Sequence, residues 1–303
     1  MGRMFDTVVM ADWSAANAPT PRRPAKDAIW FAVVREGRPA ARVYCRTRAG
    51  ALETLADLLG AEAAAGRRVL AGFDFPFGWP RGLAERVTGR PEGPALWDWL
   101  AGAVEDGPDN RSNRFAVAER INAMFPGVGP FWGRPRTADH PGVPERGRDR
   151  TGEGHPPERR HVEALIRSAQ PCWKLYTTGS VGSQALLGVA GLARLRRDPR
   201  LAGRVAVWPF DGGFQAPDAP VTLAEIYPSM LARAVAAARR EGEIPDAAQV
   251  RVLARAYAAL DAEGGLEAAF AAPGAAGAAR ETAVREEAWI LGLELREALA
   301  EAG

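Results

Sequence analysis

The chain has 303 residues, a formal net charge of +2 and an apolar share of 47%. That is long enough for one large domain with a sizeable core, and so nearly neutral that bulk charge argues neither for nor against a nucleic-acid partner. Its two cysteines, Cys45 and Cys172, are far apart, no Cys/His spacing reads as a zinc site, and no run approaches the ~20 apolar residues of a membrane span. The N-terminus shows no cleavable apolar segment, so a cytoplasmic protein with no membrane partner is expected.

The first strand reads as Thr7 to Ala11 and ends at Asp12; the second runs from Ala28 to Val34. After the turn "REGRP" a third follows in "ARVYCRT", and three β-rich runs joined by short turns predict an antiparallel meander. Leu52, Leu55, Leu58 and Leu59 recur at helical spacing, with Gly66 as a stop. "RRVLAGFDF" then returns as a strand, and a helix crossing back to the sheet implies that it lies parallel to the first.

Residues 81–170 read as an insertion with helical pieces at 93–105 and 111–125 and a Gly/Pro/Arg-rich loop at 127–160. A loop that long is functional or disordered. From Arg134 to Arg160 it carries seven arginines against five acids, which is mixed charge and no basic arm. Beyond it come the extended run "WKLYT", a Gly/Ser turn and a helix from Ser183. Strands in "RVAVWPF" and "VTLAEIYP" follow, then helices over 229–240, 246–265 and 281–302. The expectation is a single α/β domain over 1–303, with a mixed sheet built on a β-β-β-α-β core and flanked by helices.

Three strands end in a carboxylate: Asp12, Asp74 and Glu225. A fourth candidate is Glu286 or Glu287 on the last helix. Acids at the carboxyl ends of parallel strands meet on one edge, where open sheets place their ligand crevice. Several carboxylates cannot stay ionised together without a cation, and oxygen donors without Cys or His suit Mg²⁺ or Mn²⁺. Such ions activate water and stabilise a leaving oxygen. Asp74, within "LAGFDFPFGWP", emerges where a buried strand ends and Pro76 stops further pairing. The competing reading makes each acid a turn former or helix cap, and the adjacent pair Glu286 and Glu287 a solvated face with Arg285 as salt-bridge partner.

"WKLYTTGSVGSQ" gathers groups that suit phosphate: Lys174, Thr177, Thr178, Ser180, Ser183 and Gln184. Gly179 and Gly182 allow close backbone approach ahead of a helix. No Walker motif is present, and an ordinary turn with Ser183 as N-cap is the alternative. Lys174 is one of only two lysines in an Arg-dominated chain. Arg111 and Arg114 would share a face of the 111–125 helix, meeting either phosphate or solvent. His140, His155 and His161 do not suggest a catalytic triad.

The words "ADWSA", "GFDFPFGWP", "WKLYTTGSVGSQALLG", "VWPF" and "EIYPS" together resemble the family called domain of unknown function 429, described as predicted nucleases of RNase H-like fold. Gly72 to Pro76 matches its Gly-Phe-Asp-x-Pro strand end, and Glu225 to Pro228 its Glu-x-Tyr-Pro. The resemblance covers most of the chain outside 81–170. It implies an RNase H-like mixed sheet with Asp12, Asp74 and Glu225 as Mg²⁺ or Mn²⁺ ligands. Glu286 or Glu287 would stand where an Asp is often expected, with Glu287 the choice for the catalytic set.

The expected function is therefore a metal-dependent nuclease or other phosphodiester-processing enzyme. Lys174, Thr178, Ser180, Ser183 and Arg114 would contact phosphate, and nucleic acid or a phosphorylated small molecule would be the partner. The alternative is a non-catalytic binding protein for a nucleotide or phosphorylated metabolite; some relatives carry molybdopterin or cobalamin biosynthesis labels. A phosphotransferase of the sugar-kinase kind would want two phosphate loops, and the chain offers one.

Overall fold

Strand β1 (Thr7–Asp12) is apolar on both sides: Val9 and Ala11 reach one buried layer, Val8 and Met10 another. A strand buried on both faces belongs in the middle of a sheet covered by helices. The computed structural model, which describes residues 2–302, places it there. The other strands are β2 (Ile29–Arg35), β3 (Arg38–Cys45), β4 (Val69–Phe73), β5 (Val205–Val207) and β6 (Val221–Glu225). They form one six-stranded sheet in the order β3-β2-β1-β4-β6-β5. β1, β2 and β3 make the expected antiparallel meander. Helix α1 (Arg48–Ala64) crosses over so that β4 lies parallel to β1, and β6 and β5 continue in parallel. The protein is thus α/β with a mixed sheet flanked by helices.

α1 starts two residues before the predicted run because the Thr47 hydroxyl caps it, accepting from the Gly50 N–H at 3.1 Å. Then come α2 (Leu83–Thr88), α3 (Gly93–Ala103), α4 (Arg114–Asn122), α5 (His161–Ala164) and α6 (Gly182–Leu195). The chain continues with α7 (Ala232–Ala238), α8 (Pro245–Ala262), α9 (Leu266–Ala271), α10 (Gly277–Thr282) and α11 (Arg296–Ala302). Leu55 and Leu59 of α1 and Leu186 and Val189 of α6 cover the face that carries Val9, Ala71 and Leu223. Val250, Leu253 and Tyr257 of α8 cover the face that carries Val8, Leu70 and Ala224.

Leu96, Trp97, Phe115 and Ile121 of residues 81–170 join the first of these layers. The 127–160 loop has little regular structure, but it is pinned. The Asn122 side chain bonds both the N–H and the C=O of Phe131 at 2.8 Å, and also the C=O of Gly142.

Two expectations change. "WKLYT" forms no strand beyond one bridge from Lys174 to Trp132. The helix expected over 281–302 is broken: α10 runs into a π-helical turn (Ala283–Glu287), and Ala288 takes φ 60°. Ile290 then bridges to Glu225. Ala288, Trp289, Ile290 and Leu291 are all buried, and four consecutive apolar residues cannot share one helical face, so the chain extends there to bury them all. Among the described residues no helix is long and apolar enough to cross a membrane.

Candidate functional site

Of the residues from Leu70 to Pro80, Asp74 alone is not buried. Phe73, Phe75 and Phe77 pack in series against Trp13 and Trp97, which anchors the segment beneath the sheet edge and leaves one carboxylate at its surface. Ala11 pairs with Phe73 across β1 and β4, so the residues that follow, Asp12 and Asp74, are neighbours. Asp74 Oδ1 accepts the Trp13 N–H at 2.7 Å, and the Trp13 carbonyl accepts Gln184 Nε2 at 2.6 Å. Asp12 Oδ2 accepts Gln249 Nε2 of α8 at 2.7 Å. Asp246, in the first turn of α8, takes the Asp27 N–H on Oδ2 at 2.6 Å. A cleft of about 350 Å³ opens here, lined by Asp12, Ser14, Asp27, Ser180, Gln184 and Asp246.

Negative charge is concentrated and poorly compensated. Burial, then Asp74, Asp246 and Asp27, hold the Asp12 carboxyl well above the usual range. Burial pushes Asp74 up to about 7 despite the Trp13 N–H, with Asp246 adding to the rise. Burial and then Asp27 raise Asp246 as well, although backbone N–H groups oppose the shift. Among the described residues the one ion pair in this group is Lys26 with Asp27 at 3.8 Å, both exposed.

Glu225 and Glu287 do not join these acids. Glu225 is in register with Phe73, one residue out of phase with Asp74. It therefore points with Val221 and Leu223 to the opposite face from Asp12. There Arg160, itself fully buried, grips both carboxylate oxygens at 2.6 and 2.8 Å, and the Phe77 N–H adds a third bond. Arg160 also bonds Glu163 at 2.8 Å and the Glu287 carbonyl at 2.8 Å. Glu287 Oε2 receives the His161 N–H at 2.7 Å and faces its ring at 2.8 Å, while Oε1 receives the Arg81 N–H at 2.9 Å. Glu286 caps the start of α2 through the Gly82 and Ala84 N–H groups. These three glutamates fasten the 81–170 segment to the sheet rather than face the cleft. The π turn comes so close that a Cβ on Gly78 would stand 2.4 Å from the Glu286 carbonyl oxygen.

Of the expected phosphate contacts, Ser180 lines the cleft. Lys174 Nζ instead closes its own turn on the Thr178 carbonyl at 2.6 Å, over the Trp132 ring, leaving the Thr178 side chain exposed. Ser183 is buried and is no N-cap: α6 begins at Gly182, and the Ser183 hydroxyl donates to the Leu175 carbonyl at 2.7 Å while accepting from Arg114 Nε at 3.0 Å. Arg111 precedes α4 and is exposed, so it shares no face with the buried Arg114. Asp246 and Gln249, absent from the expected set, are the residues that α8 contributes. The local cue was an acid after Pro245 in a helix's first turn, which by itself reads as capping.

No family model, curated protein or solved structure was found to match this chain.

Proposed function

We propose that the protein is a Mg²⁺- or Mn²⁺-dependent phosphodiester hydrolase of RNase H-like fold in the domain of unknown function 429 family. Nucleic acid is the substrate class that the resemblance implies. The observation that carries this reading is the meeting of Asp12, Asp74 and Asp246 from three different elements at one cleft, with almost no cationic compensation. The β-β-β-α-β segment, with β4 parallel to β1, supports the fold assignment.

Among the described residues no three acids, histidines or cysteines form a ready cation cage. The donors still suit Mg²⁺, which keeps most of its waters and is held by one or two carboxylates plus substrate oxygens. Asp12 and Asp74 are those carboxylates: each gives one oxygen to a protein hydrogen bond and keeps the other for a ligand. When bound, the metal would polarise the phosphoryl group and lower the pKa of a water. The Trp13 N–H and Gln249 orient the two carboxylates, and Asp246 adds the charge that makes a cation favourable.

Calorimetric titration of Mn²⁺ at pH 8 tests this. Wild type binds, Asp12→Ala/Asp74→Ala does not, and Glu225→Gln, when folded, binds as wild type does. Unchanged binding in the double variant, or none in wild type, overturns the proposal. Nucleotide binding without turnover in a nuclease screen would point instead to a non-catalytic binding protein.

A further inference from the structure

Three arginines are buried among the described residues: Arg48, Arg114 and Arg160. Arg160 has Glu225 and Glu163. Arg48 grips Asp106 with two bonds, at 2.6 and 2.7 Å. Arg114, 5% exposed, pairs with no carboxylate. Its Nε meets the Ser183 hydroxyl at 3.0 Å, and its Nη1 meets Ser112 Oγ at 3.0 Å and the Asn17 side-chain oxygen. Among the described residues Nη2 has no hydrogen-bond acceptor. The nearest counter-charge is Asp106, already held by Arg48, so two buried guanidiniums share one carboxylate and the cluster carries one excess positive charge. Burial, then Arg48, push the Arg114 pKa down to about 10. An uncompensated buried cation is costly, and a fold that neutralises the other two has left this one for something else.

Its position says for what. Asn17 is five residues beyond Asp12, so at most about 17 Å of extended chain separates the two. Ser183 adjoins Gln184, which lines the cleft and bonds the Trp13 carbonyl. Arg48 holds the intervening segment by the carbonyls of Ser14 and Ala16, at 3.1 and 2.8 Å. Acids therefore stand at one end of a rigid wall and an unpaired guanidinium at the other.

We propose that Arg114 is the anion-binding residue of this cleft and takes a phosphate group of the substrate on Nη2. The inference rests on the phosphodiester reading for its choice of ligand, but not on the metal. A fixed guanidinium fork suits phosphate oxygens better than a lysine would.

The test uses metal-free protein in EDTA, at constant ionic strength, with inorganic phosphate as probe. Binding is followed by thermal unfolding and phosphorus NMR line width. Wild type and Asp74→Asn bind phosphate; Arg114→Gln binds about tenfold or more weakly, and Arg114→Lys falls between. Without phosphate, Arg114→Gln is at least as stable as wild type, because it deletes an unpaired buried charge. A merely structural arginine predicts the reverse: Arg114→Gln less stable, with its phosphate response unchanged. Either that result, or no phosphate binding by wild type, overturns the proposal. Phosphate binding that depends on Arg114, in a protein that takes up no Mn²⁺, would sink the hydrolase reading and leave the anion site standing.

Discussion

Asp74→Asn keeps the shape of the side chain and the oxygen that accepts the Trp13 N–H at 2.7 Å, but removes the charge. In the folded protein burial pushes the wild-type carboxyl up to about 7, whereas unfolding returns it to 3.8. Between those values the native state holds a proton that the unfolded state has released. Stability therefore falls as pH rises through this window. At about 1.4 kcal/mol per unit, ionising this one group takes about 4 kcal/mol from the native state between pH 4 and pH 8. The asparagine variant escapes that loss.

Urea unfolding at pH 4, 6 and 8 should find the two proteins nearly equal at pH 4, with the variant more stable by up to about 4 kcal/mol at pH 8. Mn²⁺ competes with the proton, so it should stabilise wild type increasingly up to about pH 7 and leave the variant unmoved. A difference that is flat with pH, or a variant less stable at pH 8, would show that Asp74 is an ordinary hydrogen-bonded carboxylate and remove the electrostatic basis for a cation site.

Asp246→Asn should lower the pKa of Asp74 from about 7, since Asp246 contributes to its rise; carbon-13 NMR titration of the carboxyls reads this directly. Arg160→Met strands Glu225 and Glu163 in the core and should cost about 3–5 kcal/mol in chemical denaturation. Gly78→Ala drives a methyl to 2.4 Å from the Glu286 carbonyl oxygen and should cost about 1–3 kcal/mol by thermal unfolding, loosening α2 from the π turn.

The order of strands and the placement of Asp12 and Asp74 were legible in the sequence. Strand and helix periods differ, the turn and stop residues were explicit, and a helix crossover makes β1 and β4 parallel. Two adjacent parallel strands that each end in an acid then bring those acids together. Glu225 shows where such reasoning stops. Its strand was recognised and does lie beside β4, but which face a side chain takes depends on register, and a one-residue offset places Glu225 against Arg160 on the other side of the sheet. Asp246 was hidden for a complementary reason: it comes from a helix laid over the sheet, and only packing shows that a first-turn acid overhangs a strand end 234 positions away. The broken C-terminal helix and the unpaired Arg114 are likewise products of tertiary contact. The first follows from a four-residue apolar run that must be buried on all sides, the second from a count of charges that exists only once the chain has folded. Local pattern thus determined the elements and one pair of acids, while register, layer packing and buried charge balance decided which side chains face the cleft.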